Sequence, residues 1–249
     1  MNDKQLLNQA FDAHKQGDTV LAEKLYSKLI TSSNPHESVY NNLAAIYIDK
    51  KLFDRAIQLL LSYPDHEKSA LINSSLAATY KYKAELKNAV FFAQRSLTLD
   101  PEQPDTWNNL GSSLRGLGQW DEAILALNEA TARRPKFSLA LYNLGNAYLE
   151  KRDLTNAIHY YNRAIDADEK YANAYVNRGN CYRELRNYKE AEADYIQGYQ
   201  LDPRLIETQF NLGVIYMEES RFTDAISCFS KTLTTEQHGT QSLPHLIGA

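Results

Sequence analysis

The stretch YNLGNAYL (142–149) decides the fold, because its pattern returns at a fixed interval. Counterparts are VNRGNCYR (176–183) and FNLGVIYM (210–217) after it, and WNNLGSSL (107–114), SSLAATYK (74–81) and NNLAAIYI (41–48) before it. LNQAFDAH (7–14) is a weaker match. The interval is 34 residues, with one residue missing from the second unit. It places repeats at 3–36, 37–69, 70–103, 104–137, 138–171, 172–205 and 206–239. Repetition at this period marks a stack of like supersecondary units.

Spacing inside the unit gives the physics; positions are counted from the first residue of each repeat. Position 8 is always small: Ala10, Ala44, Ala77, Gly111, Gly145, Gly179 and Gly213. Position 20 is alanine throughout, from Ala22 to Ala225. Small residues at these two places let two helices approach closely. Position 24 is mostly bulky (Tyr26, Leu60, Leu127, Tyr161, Tyr195, Phe229) and fills the space beside them. Short polar turns such as Gln16–Asp18 separate the two helices. Pro101, Pro135 and Pro203 at position 32 stop one unit and admit the next. In the short second repeat, Pro64 falls where the second helix should continue, so that helix is predicted to end near Ser62. A tolerated deletion and a hinge are both compatible with that break.

These residues resemble the tetratricopeptide repeat over 3–239 of the 249 residues. The resemblance implies an all-α fold, a right-handed superhelical solenoid of seven tandem helix-turn-helix repeats occupying 1–239. Residues 240–249 would then be a C-terminal tail or truncated linker. Ala13 in place of the usual aromatic marks repeat 1 as an atypical capping unit. HLIGA after the last repeat weakly resembles the junction of such repeats with a methyltransferase domain in bacterial proteins.

The resemblance also implies that positions 2, 5, 6, 9, 12 and 13 line a concave groove. Position 6 reads Asn8, Asn42, Ser75, Asn109, Asn143, Asn177 and Asn211, and position 9 adds Asn146 and Asn180. A carboxamide offers an acceptor and two donors, which match the C=O and N–H of a peptide main chain. Such a column grips backbone and tolerates varied sequence. It is similar to the asparagine ladders of O-linked N-acetylglucosamine transferase repeats and kinesin light chains. The competing reading is that asparagine here is merely consensus for the fold. Arg115 and Arg183, with Lys81, stand at position 12 and suit a ligand carboxylate, while Tyr142 and Phe210 add apolar lining. On the ladder reading these amides face solvent in the free protein. The family's lysine and asparagine clamp for chaperone C-termini is matched by no three consecutive repeats.

Composition narrows the function classes. Net charge is −4, which disfavours binding nucleic acid through a basic surface. The two cysteines are 47 residues apart and form no disulfide framework or zinc pattern. None of the six histidines lies in an HxxxH or HExxH pair, and no phosphate loop or GxSxG elbow is present. Trp107 and Trp120 are read as core rather than as a base-stacking platform. The expectation is a cytoplasmic, non-catalytic scaffold for a protein or extended peptide. It needs no cofactor or metal, binds no nucleic acid and inserts in no membrane. The alternatives are a substrate-recruiting arm of a glycosyltransferase or methyltransferase, and a structural protein that self-associates through its terminal repeats or tail.

Overall fold

A computed structural model describes residues 3–32 and 35–241. Of the tail expected at 240–249, residues 240 and 241 close the last helix, and 242–249 lie outside the described residues. The described chain is all-α, with fourteen α-helices, one 3₁₀ turn and no strand among the described residues. Nor is any described helix long and apolar enough to cross a membrane.

The chain divides into two compact units, residues 1–135 and 136–249. The first holds α1 (Asp3–Lys15), α2 (Thr19–Ile30), α3 (Glu37–Asp49), α4 (Phe53–Leu61), α5 (Ala70–Tyr82), α6 (Leu86–Leu99), α7 (Pro104–Gly116) and α8 (Trp120–Arg133). The second holds α9 (Ser138–Glu150), α10 (Leu154–Ala167), α11 (Ala172–Glu184), α12 (Tyr188–Leu201), α13 (Glu207–Glu218) and α14 (Phe222–Gln241). Within each unit every helix packs on its neighbour in sequence.

The sharp turn inside each helix pair has one geometry throughout. Position 15 is left-handed in every pair: Gly17 (φ 80), Lys51 (59), Ala84 (62), Gly118 (77), Arg152 (63), Arg186 (61) and Ser220 (60). The next N–H returns to the carbonyl five residues earlier, as in Asp153 N to Tyr148 O and Asn187 N to Tyr182 O, both 2.9 Å. This is the Schellman termination of a helix. Only two of these positions are glycine, so the signal is faint in the sequence.

The small and large positions interlock as expected. A Cβ built on Gly145 would lie 2.4 Å from the Tyr161 ring, and one on Gly213 would lie 2.5 Å from Phe229. Ala157, Tyr161, Ala191 and Tyr195 are fully buried. Trp107 is half-buried against a core cluster, as expected, whereas Trp120 opens α8 and is exposed. A position before the first turn of contacts leaves that indole only partly covered.

Helix α4 stops at Leu61 and Ser62 caps it, as Pro64 predicts. The gap is bridged rather than loose. Asn73, fully buried on α5, donates to His66 O at 2.6 Å and Ser69 O at 2.7 Å. Ser69 Oγ caps Ile72 N at 3.0 Å and donates to Glu37 at 2.5 Å. Tyr63 packs edge-on to Tyr40 at 5.2 Å. These ties favour a tolerated deletion over a hinge.

Candidate functional site

The first helix of each pair carries the position-6 amides, and hydrogen bonds link them from one repeat to the next. In the second unit, Asn177 Nδ2 on α11 donates to Asn146 Oδ1 (2.9 Å) and to the Tyr142 hydroxyl (3.0 Å), both on α9. Asn211 Nδ2 on α13 donates to Asn180 Oδ1 on α11 at 3.2 Å. In the first unit Ser75 Oγ donates to Asn41 Oδ1, and Ser74 and Thr106 share a bond of 2.7 Å. Polar side chains of successive first helices are thus hydrogen-bonded from repeat to repeat within each unit, interrupted by apolar residues such as Ala45, Ala78 and Val176.

A second layer holds this surface from below. The buried hydroxyls of Tyr161 and Tyr195 donate to Asn146 Oδ1 (2.8 Å) and Asn180 Oδ1 (2.7 Å). Burial pushes the Tyr195 hydroxyl up to about 12, so it remains a donor at neutral pH. Asparagine occurs at position 9 only in the two repeats with Asn146 and Asn180, and both pair with tyrosine at position 24. Repeat 1 shows what happens without the partner. Phe11 occupies position 9, and the buried Tyr26 hydroxyl makes no hydrogen bond; the Asn42 amide faces it without closing one. Tyr26 instead meets Phe11 and His14 edge-on at 6.1 and 6.0 Å.

Position 12 supplies a third element. Lys81 Nζ donates to Asn109 Oδ1 at 2.5 Å, and Arg183 Nη1 to Asn211 Oδ1 at 3.1 Å. Each cation reaches the position-6 amide of the following repeat. Burial lowers the pKa of Lys81.

The expected site residues therefore differ in their surroundings. Asn8 is exposed on α1, while Asn42, Asn109, Asn177, Asn180, Asn211, Arg115, Arg183 and Tyr142 are half-buried. Asn143 is only 7% exposed, which corrects the expectation that the position-6 amides face solvent, and Asn146 at position 9 is only 9% exposed. The physical reason is that neighbouring first helices approach closely enough for the amides to bond one another. Phe210 on α13 is 51% exposed and leans on Phe229 at 5.6 Å. The tyrosine partners of position 9 escaped the sequence reading, although the co-occurrence of Asn146 with Tyr161 and Asn180 with Tyr195 was visible.

Among the described residues no group of three or more His, Cys, Asp or Glu side chains is placed to hold a metal. The Asp121 and Glu122 side chains are exposed in the first turn of α8. Glu218 accepts from the Tyr188 hydroxyl, and Glu219 pairs with Arg221 at 3.2 Å.

Two tetratricopeptide repeat families match this chain, one over residues 108–172 and one over 172–205. Stress-induced-phosphoprotein 1 of Caenorhabditis elegans is 28% identical over 165 residues, covering 60% of this chain and 47% of that protein. The chain thus spans about half the length of that relative. Among solved structures, PilF of Pseudomonas aeruginosa is similar with a TM-score of 0.70 at 19% identity, over 77% of this chain and 88% of PilF. A tetratricopeptide repeat protein of Parabacteroides merdae gives 0.69 at 16% identity, over 93% and 92%. YrrB, described as a TPR protein with an unusual peptide-binding site, gives 0.59 at 20% identity, over 74% and 95%. Tetratricopeptide repeats are thereby recognised in this chain, over residues 108–205 by sequence and in the all-α fold that these solved structures share.

Proposed function

We propose that the chain is a non-catalytic scaffold that holds an extended segment of a partner protein, gripping its main chain with the amides of the first helices. All seven helix pairs are read as repeats of one kind, including those outside 108–205. The carrying observation is the inter-repeat bonding of Asn177 to Asn146 and of Asn211 to Asn180, which sets carboxamides side by side along one surface. Paired donors and acceptors on such a surface complement a peptide backbone, and each bond adds roughly 0.5–1.5 kcal/mol net. The peptide-binding description of YrrB supports the same reading.

The test is selection of a random dodecapeptide display library on the full chain. Enriched peptides of unrelated sequence that compete with one another are the expected result. No enrichment, or enrichment restricted to one side-chain motif, contradicts it.

Association through the last helix is a second reading, favoured by Phe222, Ile226 and Leu233, which are 55, 65 and 60% exposed on one stripe of α14. Ile226→Glu should abolish any concentration-dependent increase in mass seen by light scattering. Mass that rises equally in this variant excludes the stripe.

A further inference from the structure

Asn177 and Asn211 occupy the same position in successive repeats and each donate to the position-9 amide of the repeat before, yet only one keeps an unoccupied carbonyl oxygen. Arg183 occupies the carbonyl of Asn211. A guanidinium only donates, so the atom 3.1 Å from its Nη1 must be the amide oxygen. The Asn211 nitrogen then faces Asn180 Oδ1, and the Asn211 carbonyl is already occupied. Lys81 does the same to Asn109 in the first unit. The residue equivalent to these cations before Asn177 is Leu149, which packs against the cluster of Ala157, Tyr161 and Cys181 and has no donor to offer.

Asn177 is held the same way round, with its nitrogen on the position-9 amide of the repeat before, but no cation covers its carbonyl. Both N–H bonds of its Nδ2 are engaged, by Tyr142 and Asn146. Its Oδ1 accepts no hydrogen bond among the described residues and is not one of the buried atoms left without a partner. The Tyr142 hydroxyl accepts from Asn177, so its own proton is left to donate. One acceptor and one donor therefore stand next to each other on α11 and α9.

We propose that Asn177 and Tyr142 form the main-chain reading point of the second unit, with Asn177 Oδ1 accepting a ligand N–H and the Tyr142 hydroxyl donating to a ligand C=O. Asn211 and Asn109 are cation-locked structural amides. Position 12 is the selector: a cation closes the next amide, and leucine leaves it open. This inference rests on the peptide-binding reading above and assigns it to particular atoms.

The experiment transplants the lock. Leu149→Arg places a guanidinium 28 residues before Asn177, the separation at which Lys81 meets Asn109 and Arg183 meets Asn211. Its aliphatic stem keeps much of the leucine packing. The probe is one dodecapeptide enriched from the display library on the wild-type chain, titrated by fluorescence anisotropy. Leu149→Arg should weaken it at least fivefold, with Leu149→Met unchanged. Asn177→Ala and Tyr142→Phe should each weaken it about three- to tenfold, whereas Arg183→Leu should bind as tightly as wild type or better.

Equal weakening by Asn177→Ala and Asn211→Ala, or unchanged affinity in Leu149→Arg, overturns the assignment while leaving peptide binding intact. If no peptide is enriched, the functional reading fails and the assignment with it. Should Leu149→Arg melt early, the Tyr142→Phe and Arg183→Leu pair decides by the same criteria.

Discussion

Arg178 grips Asp194 in a two-pronged ion pair inside the second unit, with Nε and Nη2 at 2.8 and 2.6 Å from the two carboxylate oxygens. The carboxylate is 5% exposed, and Arg178 Nη1 also donates to Asn162 Oδ1 at 2.6 Å. The rings of Tyr175 and Tyr182 lie 5.4 and 6.0 Å from the guanidinium. Three helices, α10, α11 and α12, are joined by this one side chain. Asp194→Ala leaves a largely covered cation without its carboxylate, which should cost about 3–5 kcal/mol. The Arg178→Met, Asp194→Leu double variant should recover much of that loss. Urea denaturation midpoints check both, and a loss under about 1 kcal/mol for Asp194→Ala would place the pair among weak surface bridges.

Gly145 should resist even one added methyl. The new Cβ would stand 2.4 Å from a fully buried ring whose hydroxyl is tied to Asn146. The ring cannot withdraw without breaking that bond, so overpacking should cost about 1–3 kcal/mol. In a Tyr161→Leu background the same change should cost less, because repeat 2 already pairs Ala44 with Leu60. Thermal melts of the double-mutant cycle would expose an error if the two penalties were equal.

The left-handed turns contain removable strain. Ala84 sits at φ 62, a conformation costing roughly 1–2 kcal/mol for a residue with a Cβ. Ala84→Gly removes that cost and adds about 0.5–1 kcal/mol of unfolded-state entropy. The net expectation is a gain of about 0.5–1 kcal/mol by denaturant titration. A destabilised variant would mean that the Ala84 methyl makes contacts worth more than the strain.

Cys181 is completely buried, and burial pushes its thiol up to about 12; Cys228 is raised for the same reason. The thiolate is the reactive form, so neither should label with a disulfide reagent at pH 8 until the chain unfolds. The unfolded thiol ionises near its reference value of 9.0, below the folded one. The unfolded state therefore loses the proton first, and stability should fall as pH rises from about 9 towards 12. Rapid labelling of the native chain at pH 8 contradicts this.

Period, helix pairing and close approach were legible because they rest on local repetition: Gly145 against Tyr161 follows from small and large residues at fixed positions. The stop at Ser62 was legible from Pro64 alone. The turns were less so, since five of seven left-handed residues are not glycine and Lys51 or Arg152 gives no hint of φ. The site was legible as a column but not as atoms. Which amide atom is left unoccupied depends on contacts 28 to 35 residues away, from Arg183 to Asn211 and from Tyr142 to Asn177. Single positions read in isolation treat Asn177 and Asn211 as equivalent, and the hydrogen bonds make them different.

The central claim is that the grip falls on main chain. The most direct test compares one display-selected dodecapeptide with its ester-backbone analogue, which keeps every side chain but replaces alternate N–H groups by oxygen. Loss of two or more N–H donors at roughly 0.5–1.5 kcal/mol each should weaken binding to the wild-type chain about tenfold or more. Equal affinity of the peptide and its ester would mean that side chains alone are recognised, and that the asparagines of the first helices serve only to join one repeat to the next.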